Sequence, residues 1–168
     1  MIIYGIAIDT QSNSPVIILK DKETEQKVLP IWIGVNEASS IASAFELAKF
    51  DRPLTHDLFK NFISHLQMRV QKIVITDIIN KIFISRIYFA SQDYVFSLDA
   101  RPSDSIVMAV KSNAPIYASE TVLQESLPQK AFTYSNSQQD ILDQSEEGRR
   151  WLDYMNKLSP DDFGKYPV

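Results

Sequence analysis

The sequence contains no cysteine and only two histidines, and this excludes several kinds of site. Without cysteine there is no disulfide, no thiolate metal centre and no cysteine nucleophile, and the lack fits a reducing compartment. The two histidines, His56 and His65, lie nine residues apart in one predicted helix, which places them on opposite faces. They therefore cannot bind one metal ion together.

Long hydrophobic runs are also absent. No apolar run approaches the roughly 18 residues that a membrane-spanning helix needs. The first residues, MIIYGIAID, lack the basic flank of a secretory signal. We therefore expect a cytoplasmic protein with no membrane association. Its 168 residues are enough for one domain with a sizeable hydrophobic core.

The chain has no surplus of positive charge: 17 lysines and arginines stand against 21 acidic residues, for a net charge of -4. Strong nonspecific binders of nucleic acid usually carry such a surplus, because neutralising phosphates supplies most of their affinity. Any contact with DNA or RNA must therefore be local, weak or assisted by a metal. One stretch is locally basic, and its pattern favours a solvated hairpin over a phosphate track: Arg69, Lys72, Lys81 and Arg86.

Hydrophobic periodicity predicts a mixture of strands and helices. A unit of three strands and one helix occurs twice, and at an offset of 65 residues Ile41 and Ala44 fall on Ile106 and Ala109. The sequence thus predicts an α+β domain of two βββα-type halves with packed helices. Strands are predicted at residues 2–9, 16–20, 26–33, 70–79, 81–91, 94–98 and 115–118, and helices at residues 36–49, 55–68, 103–112 and 120–124.

The composition divides the chain into three parts. Residues 1–125 contain the predicted domain. Residues 126–150 are rich in serine and glutamine with few apolar residues, which predicts a mobile linker. Residues 151–168 are expected to form a short helix and a tail that docks on the domain.

The same unusual entrance precedes two of the predicted helices: RPLTHDLF begins at Arg52 and RPSDSIVM begins at Arg101. Proline holds the residue before it in extended geometry, so both arginines stay outside the helices that follow. Thr55 and Ser103 are expected to be the N-caps of these helices. Each entrance therefore sets a guanidinium beside a helix N-terminus.

Such a corner can bind an anion through the guanidinium and the free backbone N–H groups. The candidate phosphate-binding residues are accordingly Arg52, Arg101, Ser103 and Thr55. The alternative is a structural clamp in which Arg52 pairs with Asp104, or Arg101 pairs with Asp57. The residue types alone leave both interpretations open.

Histidine and carboxylate side chains supply the candidate catalytic groups: His56, Asp57, Asp99 and Asp104. A neutral imidazole can act as a general base, although a histidine near a helix start is more often a hydrogen-bonding group. Asp99 and Asp104 flank Arg101, and Glu37 occupies the corresponding corner of the first half. These three carboxylates are candidate ligands for Mg²⁺ or Mn²⁺, although their spacing is not diagnostic.

Three stretches in this order and spacing resemble the bifunctional nuclease family, a bacterial domain with plant relatives: LPIWIGVNEASSI, RPLTHDL and DARPSDSIVMAV. The closing DDFGKY is similar to the family's C-terminal segment. The resemblance implies a compact α+β domain with DNase and RNase activity. It assigns no settled catalytic roles, so the residues named above remain candidates.

Two functions are therefore predicted as alternatives. The first is a nuclease that cleaves phosphodiesters in DNA or RNA with the help of a divalent metal. The second is a non-catalytic module that binds a protein or a phosphorylated ligand and uses its arginine–carboxylate pairs as clamps. A homodimer is also expected, because the first predicted helix carries a serine- and alanine-rich surface suited to close packing.

Overall fold

A computed structural model describes residues 1–9, 12–22, 27–45 and 50–125 of the chain. Within these ranges there are seven strands in two sheets and four helices, which confirms the predicted α+β class. The strands are β1 (Ile2–Asp9), β2 (Ser14–Lys20), β3 (Val28–Trp32), β4 (Arg69–Ile79), β5 (Ile82–Ala90), β6 (Val95–Ala100) and β7 (Ile116–Ala118). The helices are α1 (Val35–Phe45), α2 (Thr55–His65), α3 (Pro102–Ser112) and α4 (Glu120–Glu125).

Two parts of the sequence prediction lie outside the described residues. They are the linker at 126–150 and the docking tail at 151–168. Among the helices that the structure describes, none is long and apolar enough to cross a membrane.

The two halves of the fold repeat one plan. The first sheet is an antiparallel meander in the order β1-β2-β3, and α1 follows it. The second sheet has the order β6-β5-β4-β7, in which β4, β5 and β6 form a second antiparallel meander and α3 follows β6. The short strand β7 joins the far edge parallel to β4. The predicted repeat of three strands and a helix is therefore confirmed.

The turn between β4 and β5 is fixed by two residues with positive φ. Asn80 has a φ of 51° and Lys81 a φ of 66°, and they connect the paired residues Ile79 and Ile82. Two-residue hairpins favour such turns because their twist matches the right-handed twist of the strands. The turn holds Lys81 and Ile82 at the tip of the hairpin.

Close packing of α1 against α3 joins the two halves. The buried residues of α1 are Ala38, Ile41 and Ala44, and small side chains at two of these positions let the helices approach closely. Their counterparts in α3 at the offset of 65 are also buried: Ser103, Ile106 and Ala109. Ala38, one of the small residues on which the homodimer prediction rested, is thus buried inside the chain.

A buried hydrogen-bond network fixes the start of α3 on the second sheet. The Ser85 hydroxyl donates to the Ala100 carbonyl at 2.6 Å and lies 2.7 Å from the Ser105 hydroxyl. Ser85 and Ser105 are both fully buried, so an unpaired hydroxyl there would be costly. The network therefore positions the first turn of α3 relative to β5 and β6.

The helix starts differ from the predicted caps. The N-cap residues are Leu54 for α2 and Arg101 for α3, rather than Thr55 and Ser103. In α3, Pro102 occupies the first helical position, where its missing N–H and fixed φ are well accommodated, so the cap falls on Arg101. In α2, the Asp57 carboxylate accepts the Leu54 N–H at 3.1 Å and supplies the cap from inside the helix.

The same carboxylate connects α2 to α3. Lys111 donates from Nζ to Asp57 Oδ1 at 2.6 Å, and Lys60 donates from Nζ to the Lys111 carbonyl at the same distance. The side chains of Lys111 and Asp57 are 14% and 30% exposed, so water screens this ion pair only partly. Asp57 is therefore occupied by structural contacts.

Replacing Asp57 by asparagine is expected to reduce stability at neutral pH but not in acid. Burial acts to raise the pKa of Asp57, but the hydrogen bonds from Lys111 and Leu54 outweigh it and hold the pKa below its ordinary value. A lowered carboxyl pKa stabilises the fold fully above about pH 5, and this contribution is lost as pH falls through the folded-state pKa. The expected cost of Asp57→Asn is roughly 1–3 kcal/mol at neutral pH.

Urea unfolding of both proteins over a series of pH values measures this difference. Asp93→Asn is the matched control, because Asp93 is exposed in the turn between β5 and β6. A deficit for Asp57→Asn that stays constant down to about pH 2 would contradict the ion-pair origin of the stabilisation.

Candidate functional site

The guanidinium of Arg101 lies between two carboxylates from different helices. Its Nε donates to Asp104 Oδ2 at 2.7 Å and its Nη2 to Asp104 Oδ1 at 3.2 Å, which makes a two-point contact within the first turn of α3. Its Nη1 donates to Glu37 Oε1 in the first turn of α1 at 2.8 Å. Arg101 therefore links the starts of the two repeated helices.

A third helix start contributes a histidine. His56, in the first turn of α2, has its Nε2 3.2 Å from Asp104 Oδ1. Because an ionised carboxylate only accepts, the Nε2–H of His56 is the donor in this contact, and in a neutral imidazole Nδ1 would then keep its lone pair. The contact between His56 and Asp104 also brings together the first turns of α2 and α3.

Glycine at position 34 leaves room for the Glu37 carboxylate. A Cβ at this position would overlap Glu37 Oε2. Arg101 holds the other oxygen of that carboxylate, so the side chain cannot simply swing away. The absence of a side chain at Gly34 thus allows Glu37 to point at Arg101.

The charges at the site are strongly coupled. Burial acts to raise the pKa of Asp104, but hydrogen bonds from Arg101 and His56 outweigh it and hold the pKa below the ordinary aspartate value. The hydrogen bond to Asp104 in turn raises the pKa of Arg101. Asp104 is therefore ionised and Arg101 charged across the physiological range.

Exposure differs between the partners. The Arg101 side chain is 65% exposed, whereas those of Glu37 and Asp104 are 24% and 32% exposed. The His56 side chain is 20% exposed. The cation is thus the group of the cluster that solvent, and any ligand, meets first.

Two adjoining hollows surround Arg101. The smaller hollow, called the cleft from here on, has a volume of about 150 Å³ and contains the side chains of all four interacting groups described above. It is lined by Asn36, Glu37, Ser40, His56, Arg101, Ser103, Asp104 and Val107. A groove of about 500 Å³ shares Glu37, Arg101 and Ser103 with it. Ser103 is a predicted phosphate-binding residue, and the structure brings it to the junction of the two hollows.

Other predicted site residues lie elsewhere. Asp99 is exposed on β6 and is the register partner of Arg86 on β5. Its side chain lies on the face of the sheet opposite to that of the buried Ser85. The prediction that Asp99 and Asp104 share a site is therefore wrong, because strand alternation turns Asp99 away from the core-facing side on which α3 packs. Asp57 faces Lys111 instead of the cleft.

The first Arg-Pro corner also differs from its prediction. Arg52 and Thr55 are exposed and are not among the residues that line the cleft. The predicted clamp pairs of Arg52 with Asp104 and of Arg101 with Asp57 do not form, because Asp104 pairs with Arg101 inside its own motif. A clamp does exist, but it joins Arg101 to Glu37 of α1.

The bifunctional nuclease domain family matches this chain over residues 17–130, a range that leaves out β1 and the start of β2 but includes every residue of the cleft. The chain belongs to this family. An uncharacterized protein of Mycobacterium tuberculosis (strain ATCC 25618 / H37Rv) is 31% identical over 164 residues, covering 96% of this chain and 95% of that protein. Bifunctional nuclease 1 of Oryza sativa subsp. indica and bifunctional nuclease of Oryza minuta are each 25% identical over 109 residues, or 63% of this chain and 33% of theirs.

The donor set of this bifunctional nuclease domain does not fit a divalent metal as arranged. Within the described ranges, no group of three or more histidine, aspartate and glutamate side chains could hold a metal ion. Both Asp104 oxygens are bonded to Arg101 or His56, and Glu37 Oε1 is bonded to Arg101. The guanidinium thus occupies the position where a cation would meet these carboxylates.

A larger hollow of about 600 Å³ lies beside the ends of α2 and α3, away from the cleft. Two of its cations are already used: Lys111 pairs with Asp57, and Lys60 donates to the last turn of α3. The larger volume of this hollow therefore does not make it a better candidate for the functional site than the cleft. The locally basic stretch is likewise dispersed, with Lys72 lying over the ring of Tyr88 and Arg86 bonded to Ser97.

The structure also identifies groups that the sequence reasoning missed. Gly34 makes room for Glu37, and the Ser85–Ser105 pair fixes the start of α3. Lys111 binds the carboxylate that was expected to be catalytic. Of these, only Gly34 had a local signal, as a small residue two positions before a predicted helix.

Removing the Arg101 charge is expected to leave the domain nearly as stable as before. Arg101→Gln should change the free energy of unfolding by about 1 kcal/mol or less, because exposed ion pairs are screened by water. A buried clamp would instead lose roughly 3–5 kcal/mol. Urea unfolding at neutral pH measures the change.

Arg52→Gln is the matched control for this experiment, since it alters the arginine of the other Arg-Pro motif outside the cleft. A loss for Arg101→Gln in the range of a buried clamp, with Arg52→Gln unchanged, would mean that Arg101 serves the architecture and not a ligand.

Proposed function

We propose that this domain is a phosphodiesterase that cleaves DNA or RNA at the cleft around Arg101. The observation that carries the proposal is an exposed guanidinium beside an imidazole–carboxylate pair. Two further facts support it: the chain belongs to the bifunctional nuclease domain family, and two of its relatives are named bifunctional nucleases.

Arg101 would bind the scissile phosphate. Three of its five N–H groups donate to Asp104 and Glu37, which leaves two for an incoming phosphate oxygen. The carboxylates fix the plane of the guanidinium and thereby reduce the entropy lost on binding. The positive charge of Arg101 attracts this phosphate. It also stabilises the transition state, in which the phosphate carries more negative charge.

His56 would act as the general base. Its Nε2–H donates to Asp104, so Nδ1 can accept a proton from a water molecule. The water oxygen forms a bond to phosphorus, its proton passes to Nδ1, and one P–O ester bond breaks. The departing oxygen takes a proton from solvent. Asp104 stabilises the imidazolium that forms, as a carboxylate does for an active-site histidine.

The predicted requirement for Mg²⁺ or Mn²⁺ stays a prediction, and no step above uses a metal. The assay that tests the proposal includes arms with EDTA and with each added metal. Activity that survives EDTA supports hydrolysis by Arg101 and His56 alone. Activity found only with a metal would require Glu37 and Asp104 to leave Arg101 before they could bind it.

The non-catalytic alternative has one observation in its favour: Arg101 is already paired with two carboxylates of the chain itself, those of Glu37 and Asp104. In that case, the cleft would bind a phosphorylated ligand without cleaving it. Saturable binding of a phosphorylated ligand by protein that cleaves neither DNA nor RNA is the expected result for this reading.

Self-association into a homodimer also remains a proposal. Two small residues of α1 no longer support it, since Ala38 and Ala44 are buried within the chain. The exposed apolar side chains of Leu58 and Phe62 on α2, and of Leu66 at its C-cap, form a second surface that could pair in a dimer. Sedimentation velocity at micromolar concentration gives the answer, and a single monomer species would contradict the dimer.

The strongest test of the nuclease uses single substitutions in the cleft. His56→Ala and Asp104→Asn are each expected to reduce the cleavage rate about 10²- to 10⁴-fold, because general-base catalysis contributes on that scale. Cleavage of a plasmid and of a single-stranded RNA measures the effect. Thermal unfolding of each variant shows whether the fold survives.

Asp99→Asn and Arg52→Gln are the matched controls, since each changes a motif residue that lies outside the cleft. They should retain nearly the full rate. Highly purified wild-type protein that cleaves neither substrate under any metal condition would refute the nuclease, and equal losses in Asp99→Asn and Asp104→Asn would refute the assignment of the cleft.

A further inference from the structure

The groove beside the cleft has an unusual lining for a charged site. Beyond the three residues that it shares with the cleft, the groove is mainly apolar and aromatic, with one lysine; its lining includes Trp32, Ile33, Lys81, Ile82, Phe83 and Pro102. Residues at the hairpin turn of Asn80 and Lys81 form one side of the groove, and residues at the end of β3 form the other. A largely apolar surface therefore adjoins Arg101.

The aromatic group of this groove is exposed but held in position. The Trp32 side chain is 47% exposed, although it follows the buried Ile31 on β3. Its indole Nε1 donates to Asp9 Oδ2 at 3.0 Å, which fixes the orientation of the ring. Across the groove, Ile82 is 64% exposed. Neither side chain is explained by the needs of the hydrophobic core.

A nucleotide offers the chemistry that matches this lining. It carries an anionic phosphate next to a flat base that stacks on aromatic rings, and such stacking is tolerant of sequence. The groove presents an indole next to a guanidinium, with the Lys81 cation at the rim. A base inside a duplex is stacked on both faces and paired at its edge, so it cannot lie on Trp32 without leaving the helix.

We propose that the groove binds an unpaired nucleobase next to the phosphate held by Arg101, with Trp32 as the stacking platform, so that the domain acts on single-stranded nucleic acid. The proposal rests on the proposed function in one respect, since it places the scissile phosphate at Arg101. It adds the class of substrate and a residue that selects it.

The first test measures binding without cleavage. The sequence has two tryptophans, so a Trp151→Phe variant leaves Trp32 as the only indole reporter. The probes are a single-stranded oligonucleotide with phosphorothioate linkages, the same strand with one abasic position, and the corresponding duplex. The intact strand should quench Trp32 fluorescence saturably, the abasic strand should bind more weakly, and the duplex should bind weakest.

The second test uses variants of the platform. Trp32→Leu is expected to raise the KM for a single-stranded substrate about tenfold, because a stacking ring contributes on this scale, and to change kcat much less. Trp32→Phe loses the hydrogen bond to Asp9 but keeps a ring, and should retain most of the affinity. Tyr117→Leu is the matched control, since it removes another half-exposed aromatic ring from the edge strand β7.

The outcomes separate this inference from the proposed function. If the wild-type protein cleaves nucleic acid but Trp32→Leu and Tyr117→Leu have the same KM for the single-stranded substrate, the stacking platform is refuted and the nuclease proposal stands. Base-dependent quenching by protein that cleaves nothing supports the platform and refutes the nuclease. The stacking platform is also refuted if the intact strand, the abasic strand and the duplex bind equally well. It is refuted likewise if Trp32→Phe loses as much affinity as Trp32→Leu.

Discussion

Two carboxylates meet where the repeated helices of this fold come together, and the guanidinium of Arg101 pairs with both of them. Glu37 and Asp104 each lie in a first helical turn, where the positive end of the helix dipole favours an anion. Small residues such as Ala38 let α1 and α3 approach closely, which brings these helix starts to Arg101. Asp104 then has a second partner, because its Oδ1 also orients His56. The shape and charge of the cleft follow from this arrangement.

Much of the fold could be predicted from local patterns. The strand and helix periods were strong enough to place all eleven elements within the described residues, and the duplicated pattern of Ile41 and Ile106 correctly indicated two equivalent helices. Hydrophobic alternation specifies which face of a strand or helix is buried, and burial is what the packing of these elements depends on. The helix caps were less predictable, because Pro102 at the first helical position moves the cap of α3 by two positions, from Ser103 to Arg101.

The site was predictable only in part, because its pairings are set by geometry between distant segments. Arg101, Asp104, Glu37 and His56 were all named from the sequence, and the structure brings them together. The position of Asp99 was predicted wrongly because the face to which its side chain points depends on the register of β6 with β5. Short sequence patterns do not reveal this register. Lys111 could not have been connected with Asp57 from their separation in the sequence. The role of Trp32 depends on a hairpin turn more than forty residues away, at Lys81.

The cleft is assembled from segments that are remote along the chain. Glu37 lies 64 residues from its partner Arg101, and His56 lies 48 residues from its partner Asp104. Its geometry therefore forms only after loops of this length have closed, which is a late and entropically costly event in folding. Because His56 is the single residue of α2 in the cleft, a local opening that detaches α2 would remove the imidazole while both sheets stay folded. Amide exchange of α2 should thus report the integrity of the cleft more directly than the global free energy of unfolding.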